Sequence, residues 1–190
     1  VESNIIFRND DVCKNTNIFK LKKVYDVLTT YFSDCRIINC INVISRKTNR
    51  GSVYDEVPFK DNPVKWFYDI NQFMDKELIE QLPFEKASHG LFHVDHTKIH
   101  RDTQLMSIMG STSYIGTTMF MPPFARWNED TQSVCRQCGI KLLTDGRQWK
   151  SLEFEKFDPE HKFWYFHSWR FDQSTMRKVL DGHCINMAKL

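Results

Sequence analysis

The chain has 190 residues and sets 26 Lys and Arg against 24 Asp and Glu, for a formal net charge of +2. That length supports one buried core but not two comfortable ones, so a single domain over residues 1–190 is expected. The near-neutral balance, without a basic run or a nucleic-acid-binding motif, argues against DNA or RNA as a partner, and no apolar run nears membrane-spanning length.

Asn4–Asn9 reads as a short buried strand running into Asp10-Asp11. Thr16 or Asn17 can cap a helix from Ile18 to about Phe32, with Leu21, Val24, Tyr25 and Leu28 at helical spacing. Arg36–Ile44 is apolar and β-branched, a second strand, so the chain opens β-α-β, the start of a parallel arrangement. Ser45 to about Pro63 is polar and holds Gly51, Pro58 and Pro63, which predicts a long loop. A helix follows over Asp75–Gln81, then a short strand over Glu85–Ser88. The stretch from Thr103 to about Ser107 starts another helix. Gly116–Met121 is a strand stopped by Pro122-Pro123. Asn128 caps a helix to about Cys138, with Gly139 just past its end. Ile140–Leu143 and Lys162–His167 are strands, and Asp172 or Ser174 caps a last helix to Leu180, stopped by Gly182.

The six cysteines (Cys13, Cys35, Cys40, Cys135, Cys138 and Cys184) are scattered through these elements. Free thiols in a reducing compartment, the cytoplasm, are therefore the simpler expectation. Cys135-Arg-Gln-Cys138 is half a zinc ribbon with no second half. The chain opens at Val1 on a polar lead without a signal-like region, as a processed chain or an excised domain would.

Polar and His-bearing residues fall at the ends of strands: Asp10-Asp11, His89–His93, Pro122–Phe124, Asp145 and His167. In parallel α/β folds those ends converge on one face, where sites are built. Adjacent Asp10 and Asp11 point to opposite faces of a continuing strand. Both reach one cavity only if the strand stops and the backbone turns, and a divalent cation would relieve their repulsion. Within Ala87-Ser-His-Gly-Leu-Phe-His-Val-Asp-His96, His89 and His93 stand four apart, the spacing that aligns two imidazoles on one helical turn. His96 and His100 continue the same helical face, so spacing alone does not choose the pair. Gly90 stands where zinc proteases of the H-E-x-x-H type carry their base, which excludes that mechanism.

Asp10-Asp11, His89-x-x-x-His93, Pro122-Pro123-Phe124 and His167, in that order and at successive strand ends, resemble the motifs of the NodB-like polysaccharide deacetylases, carbohydrate esterase family 4. The likeness runs from about residue 5 to 170 and suggests a divergent branch. It implies a small, distorted or incomplete (β/α) barrel with parallel strands and outer helices. It also implies one divalent metal held by Asp11, His89 and His93. Zinc suits that donor set, and Co, Ni, Fe and Mn fit it too. The resemblance further implies Asp10 as general base and His167 as general acid. Pro123 and Phe124 would line the groove, with a backbone N–H there for the oxyanion. The substrate would be a glycan or amino sugar, with Arg126, Trp127 and Trp169 as further contacts and Trp149 and Trp164 as candidate stacking platforms or core.

The sequence departs from the family pattern in four places. Gly90 replaces the Ser or Thr whose hydroxyl braces the second motif. Met121 replaces the Arg that orients the base carboxylate, unless Arg126, Arg8 or Arg147 takes over. Asp145-Gly-Arg-Gln-Trp149 only shadows the D-x-x-D-W motif whose Asp tunes the acid His. The first motif lacks its preceding Thr-Phe and its following Gly. Three readings follow: a metal-dependent deacetylase of amino sugars or glycans, a non-catalytic glycan- or metal-binding descendant, and a metal-dependent amidohydrolase acting on a non-sugar C–N bond.

Overall fold

The protein is described by a computed structural model over residues 5–44, 73–144 and 148–182. The loop expected from Ser45, the stretch around Trp66, Asp145, Arg147 and Cys184 lie outside the described residues. Seven strands form one sheet: β1 (Ile6–Val12), β2 (Arg36–Ile41), β3 (Glu85–Ser88), β4 (Met119–Phe120), β5 (Lys141–Leu142), β6 (Lys150–Ser151) and β7 (Phe163–His167). Every pairing is parallel, in the order β5-β4-β3-β2-β1-β7-β6. The sheet curls into a half-barrel. Between its outer strands the Trp149 indole donates to the Leu143 carbonyl at 3.3 Å, bridging β5 to the start of β6.

Both faces of the central strands are buried, including polar residues such as Arg8, Asn9, Asp10, Asn39 and Ser88, so the strands do not show the inside-outside alternation of a half-exposed sheet. The pleat still sorts them. Ile38, Cys40, Ala87, Met121 and Leu143 form the inner cluster, joined by Ile6 and Met119. Phe7, Ile37 and Ile41 pack outward with Leu21, Val24 and Leu28 of α1 (Ile18–Tyr31). Asn17 is the cap of α1 and accepts from the Lys20 N–H at 2.9 Å. Helices α2 (Lys76–Gln81), α4 (Glu129–Gln137) and α5 (Gln173–Leu180) fall where the sequence predicts them. Asn128 and Thr131 form a capping box on α4, and Asp172 caps α5. Cys135 is buried in an apolar cluster with Ile108, Phe120, Val134 and Leu142, and Cys138 packs against it. The half ribbon is therefore core, and none of the five described cysteines is in a disulfide.

Two expectations shift. Helix α3 runs over Arg101–Ile115, far past Ser107, because much of its buried face is polar: Gln104, Ser107, Ser111 and Thr112. Two of those hydroxyls turn back onto helix carbonyls, Ser111 onto Ser107 and Thr112 onto Ile108. An apolar period therefore does not mark how far the helix runs. Gly116, at φ 77°, then closes it, so the strand expected from Gly116 shrinks to Met119–Phe120. No helix among the described residues is long and apolar enough to cross a membrane.

Candidate metal centre

Strand β1 does not stop at the aspartate pair. It runs on to Val12 through an irregularity in register between Asn9 and Val12. Asp11 sits there at φ 61°, a left-handed conformation that costs a non-glycine residue about 1–3 kcal/mol. That local turn replaces the strand end expected from the sequence. Asp10 keeps the interior side in register with His167 of β7, and Asp11 turns toward the histidines.

His89 follows the last residue of β3, and His93 lies in the loop beyond it, so the two are not on a helix. Gly90, at φ 93°, makes the turn between them. Nε2 of His89 lies 3.4 Å and Nε2 of His93 3.1 Å from Oδ1 of Asp11. These donor atoms all fall within 4.8 Å of one another, and the three residues are buried. Nδ1 of His89 lies 2.7 Å from the Met121 carbonyl, which can only accept. The proton of a neutral His89 therefore sits on Nδ1, and the Nε2 lone pair faces the Asp11 carboxylate. Two lone pairs facing each other in a buried corner repel unless a cation or a proton lies between them. The donor set, two imidazoles and one carboxylate, suits a divalent ion. Burial would raise the Asp11 carboxyl, but the His89 and His93 imidazoles, with the charges of His93 and His167, hold it well below the usual carboxylate range.

His96 and His100 are elsewhere. His96 is fully buried, with Nδ1 3.0 Å from the Val94 carbonyl and Nε2 3.3 Å from the Ser107 hydroxyl. Burial pushes it down to about 4. His100 is the exposed N-cap of α3.

Two residues fill roles the sequence leaves open. Glu153, 2 % exposed, sets Oε1 2.5 Å from Nδ1 of His167, and its Oε2 lies 3.1 Å from Nε of Arg170. The other nitrogen of His167, Nε2, lies 3.5 Å from Oδ2 of Asp11. Burial alone would lower His167, but the Glu153 hydrogen bond and the Asp11, Glu153 and Asp10 charges raise it to about 9. The signal for Glu153 is a lone acid between Leu152 and Phe154, a pairing the D-x-x-D-W comparison passes over. Arg8 clamps Asp10 with Nε on Oδ1 at 2.7 Å and Nη2 on Oδ2 at 2.8 Å. Of the two described arginines weighed against Met121, Arg8 holds Asp10 and Arg126 is tied to Asp95. The hydroxyl missing at Gly90 is supplied from other positions. Ser88 Oγ accepts from the Gly90 N–H at 3.0 Å, and Ser107 Oγ accepts from the Leu91 N–H at 3.1 Å.

The expected groove residues form the rim. The Phe124 ring lies 4.6 Å from that of His93, and Phe124 and Ala125 both have positive φ. Pro123 is buried; Phe124 and Trp127 are exposed. Arg126 is tied to Asp95 at 2.9 Å, joining the His93 loop to the Phe124 loop. Trp169 lies 5.8 Å from His167 beneath the Arg170 guanidinium and lines a cavity of about 180 Å³ with Asn15, Thr16, Asn17, Lys20 and Ser168. Trp149 and Trp164 are turned to structural use, the first at the seam and the second fully buried.

No family model and no curated protein matches the chain. Solved structures do. A family 4 carbohydrate esterase from Streptomyces lividans, in complex with acetate, aligns over 97% of this chain and 84% of its own at 11% identity and a TM-score of 0.54. The peptidoglycan deacetylase PdaC from Bacillus subtilis aligns over 100% and 85% at 14% identity and a TM-score of 0.52. A family 4 pseudoenzyme from Bacillus anthracis aligns over 94% and 61% at 9% identity and a TM-score of 0.55. The chain therefore has the NodB-like half-barrel fold that these family 4 carbohydrate esterase structures share, at 9–14% sequence identity.

Proposed function

We propose that this chain is a metal-dependent hydrolase that removes an acetyl group from an amino sugar or glycan. The observation that carries the reading is the meeting of Asp11 with His89, His93 and His167, each imidazole presenting Nε2 within 3.1–3.5 Å of one buried carboxylate. Asp11, His89 and His93 would hold the ion. A divalent ion there, zinc or another of the first-row metals, supplies a Lewis acid that polarises the acetyl carbonyl and brings the pKa of a water toward neutrality.

The chain's own residues supply the proton traffic. Asp10, its carboxylate plane fixed by Arg8, takes the proton of the attacking water. His167, with Nδ1 held by Glu153, has Nε2 left to give a proton to the departing nitrogen or oxygen. The backbone N–H at Phe124 is the proposed donor to the oxyanion, a contact typically worth roughly 3–4 kcal/mol. Phe124, Trp127 and Trp169 offer ring faces to sugar around the corner, with Pro123 beneath and Arg126 bracing the wall.

The rival reading is a non-catalytic descendant, and it rests on the motif departures. Three of those departures meet a substitute: Arg8 for the missing arginine, Glu153 for the missing aspartate, and Ser88 with Ser107 for the missing hydroxyl. That refilling favours the enzyme. The test loads the protein with zinc and measures acetate released from an N-acetylglucosamine oligomer, a peptidoglycan fragment and an acetylated xylan, beside Asp10→Asn. Release by the wild type and none by the variant, at equal bound zinc, supports the reading. Zinc binding without release from any of them supports the non-catalytic one.

A further inference from the structure

Arg8 is a cation in the interior of the half-barrel, 2 % exposed. Burying a guanidinium is costly unless it is paired and hydrogen-bonded. Its fork takes both oxygens of Asp10 at 2.7 and 2.8 Å. Its remaining nitrogen, Nη1, lies 3.1 Å from Sδ of Met121. The rings of Trp149 and Tyr165 stand 4.4 and 5.1 Å from its central carbon. The guanidinium is thus boxed on its ring-facing sides, and its bidentate bonds are spent on one carboxylate. Such a fork fixes the plane of the carboxylate, which a lysine's point charge would not do. Met121 is itself fully buried, and a soft thioether seats a cation where a second charge would not fit.

We propose that Arg8 is the positioning residue of Asp10, that Met121 is its seat, and that one guanidinium can be supplied to Asp10 from either position 8 or position 121 but not from both. The proposal rests on the reading of Asp10 as base. A methionine at 121 then marks relocation of the clamp into the strand that also carries the base, and not its loss.

The test compares Arg8→Met, Met121→Arg and the double variant in the full zinc-loaded chain. Each single variant should lower kcat at least about tenfold with KM nearly unchanged, as expected when a base is misplaced and not when substrate binding is lost. The double variant should recover most of that loss. Midpoints of thermal unfolding should follow the same pattern, with the double variant more stable than the sum of the single losses. Additive losses in stability, or a double variant as slow as Arg8→Met, would overturn the proposal. If the wild type releases no acetate, the proposed function fails, and the unfolding cycle alone decides the exchange. Arg8→Lys covers the case in which Arg8→Met does not fold. It keeps the charge without the fork and should lose about tenfold in kcat at unchanged zinc content; unchanged kcat in that variant would also overturn the assignment.

Discussion

Oε1 of Glu153 stands 2.5 Å from Nδ1 of His167 and also accepts the His167 backbone N–H at 2.8 Å. One buried oxygen therefore fixes both the ring and the backbone of the proposed acid. Glu153→Gln keeps the shape and removes the charge. It should cut kcat by about 10²-fold, the usual scale of a general acid's contribution. Bound zinc per chain should stay the same, because Glu153 acts on His167, which is not one of the three residues that would hold the ion. Loss of zinc in step with activity would instead make Glu153 part of the metal centre.

The ion-binding set is tested by three substitutions read through zinc content. Asp11→Asn suits the left-handed backbone at φ 61°, which Asn tolerates, but removes the charge. It should fold and bind zinc at least tenfold more weakly, about the scale of losing one anionic ligand. His93→Ala should also release zinc. His96→Ala should keep it, since both nitrogens of His96 are engaged with Val94 and Ser107. Retention by His93→Ala together with loss by His96→Ala would move the centre to the wrong side of the loop.

Much of this was legible in the chain because the strands and most helices follow the apolar period, and caps such as Asn17, Asn128 and Asp172 sit where side-chain chemistry puts them. The parallel arrangement followed from the β-α order, and the half-barrel from the resemblance carried by the strand-end motifs, which is the fold that the solved structures share. What stayed hidden is of two kinds. The turn at Asp11 is a backbone event at an ordinary-looking residue, so the sequence suggested that β1 ends where it bulges. The supports of the site come from outside their usual motif places: Glu153 reaches His167 across 14 positions, and Arg8, one of three arginines weighed from the sequence, clamps Asp10 from two positions away. Motif comparison looks for a support at its usual place, so it leaves Arg8 as one candidate among three and misses Glu153 altogether. The full length of helix α3 stayed out of view because its buried face is hydroxyl-rich.

His96 gives a pH dependence with a definite sign. Its folded-state value is pushed down to about 4 by burial, aided by the charges of His89 and His93 and opposed by the Val94 carbonyl and Asp95. The unfolded chain takes up the proton near the ordinary value of about 6.5. A depressed value means the neutral form belongs to the folded state. Its stability is thus whole above about pH 6.5 and is lost as pH falls toward 4, by up to about 3 kcal/mol. Chelator-treated protein should therefore lose stability across that window in urea titrations, and His96→Gln should flatten the loss. Parallel curves for the two proteins would mean that His96 is already protonated in the fold.

Gly90 invites a repair that the structure argues against. The resemblance makes Ser or Thr the usual residue there, so Gly90→Ser looks like a restoration. Yet Gly90 has φ 93°, and a Cβ built on it would lie 2.8 Å from the Phe92 carbonyl oxygen, with His96 Cε1 and Ser107 Oγ both at 3.4 Å. The close neighbour is backbone, which cannot swing away. The hydroxyl that such a serine would bring is already supplied by Ser88 to the Gly90 N–H and by Ser107 to the Leu91 N–H. Gly90→Ser should therefore cost about 1–3 kcal/mol in stability. It should also weaken zinc binding, because the turn between His89 and His93 must open to admit the Cβ. Equilibrium unfolding and zinc titration measure both. A variant as stable as the wild type, with tighter zinc, would show that the turn can relax to the usual pattern and that Ser88 and Ser107 are not its replacement braces.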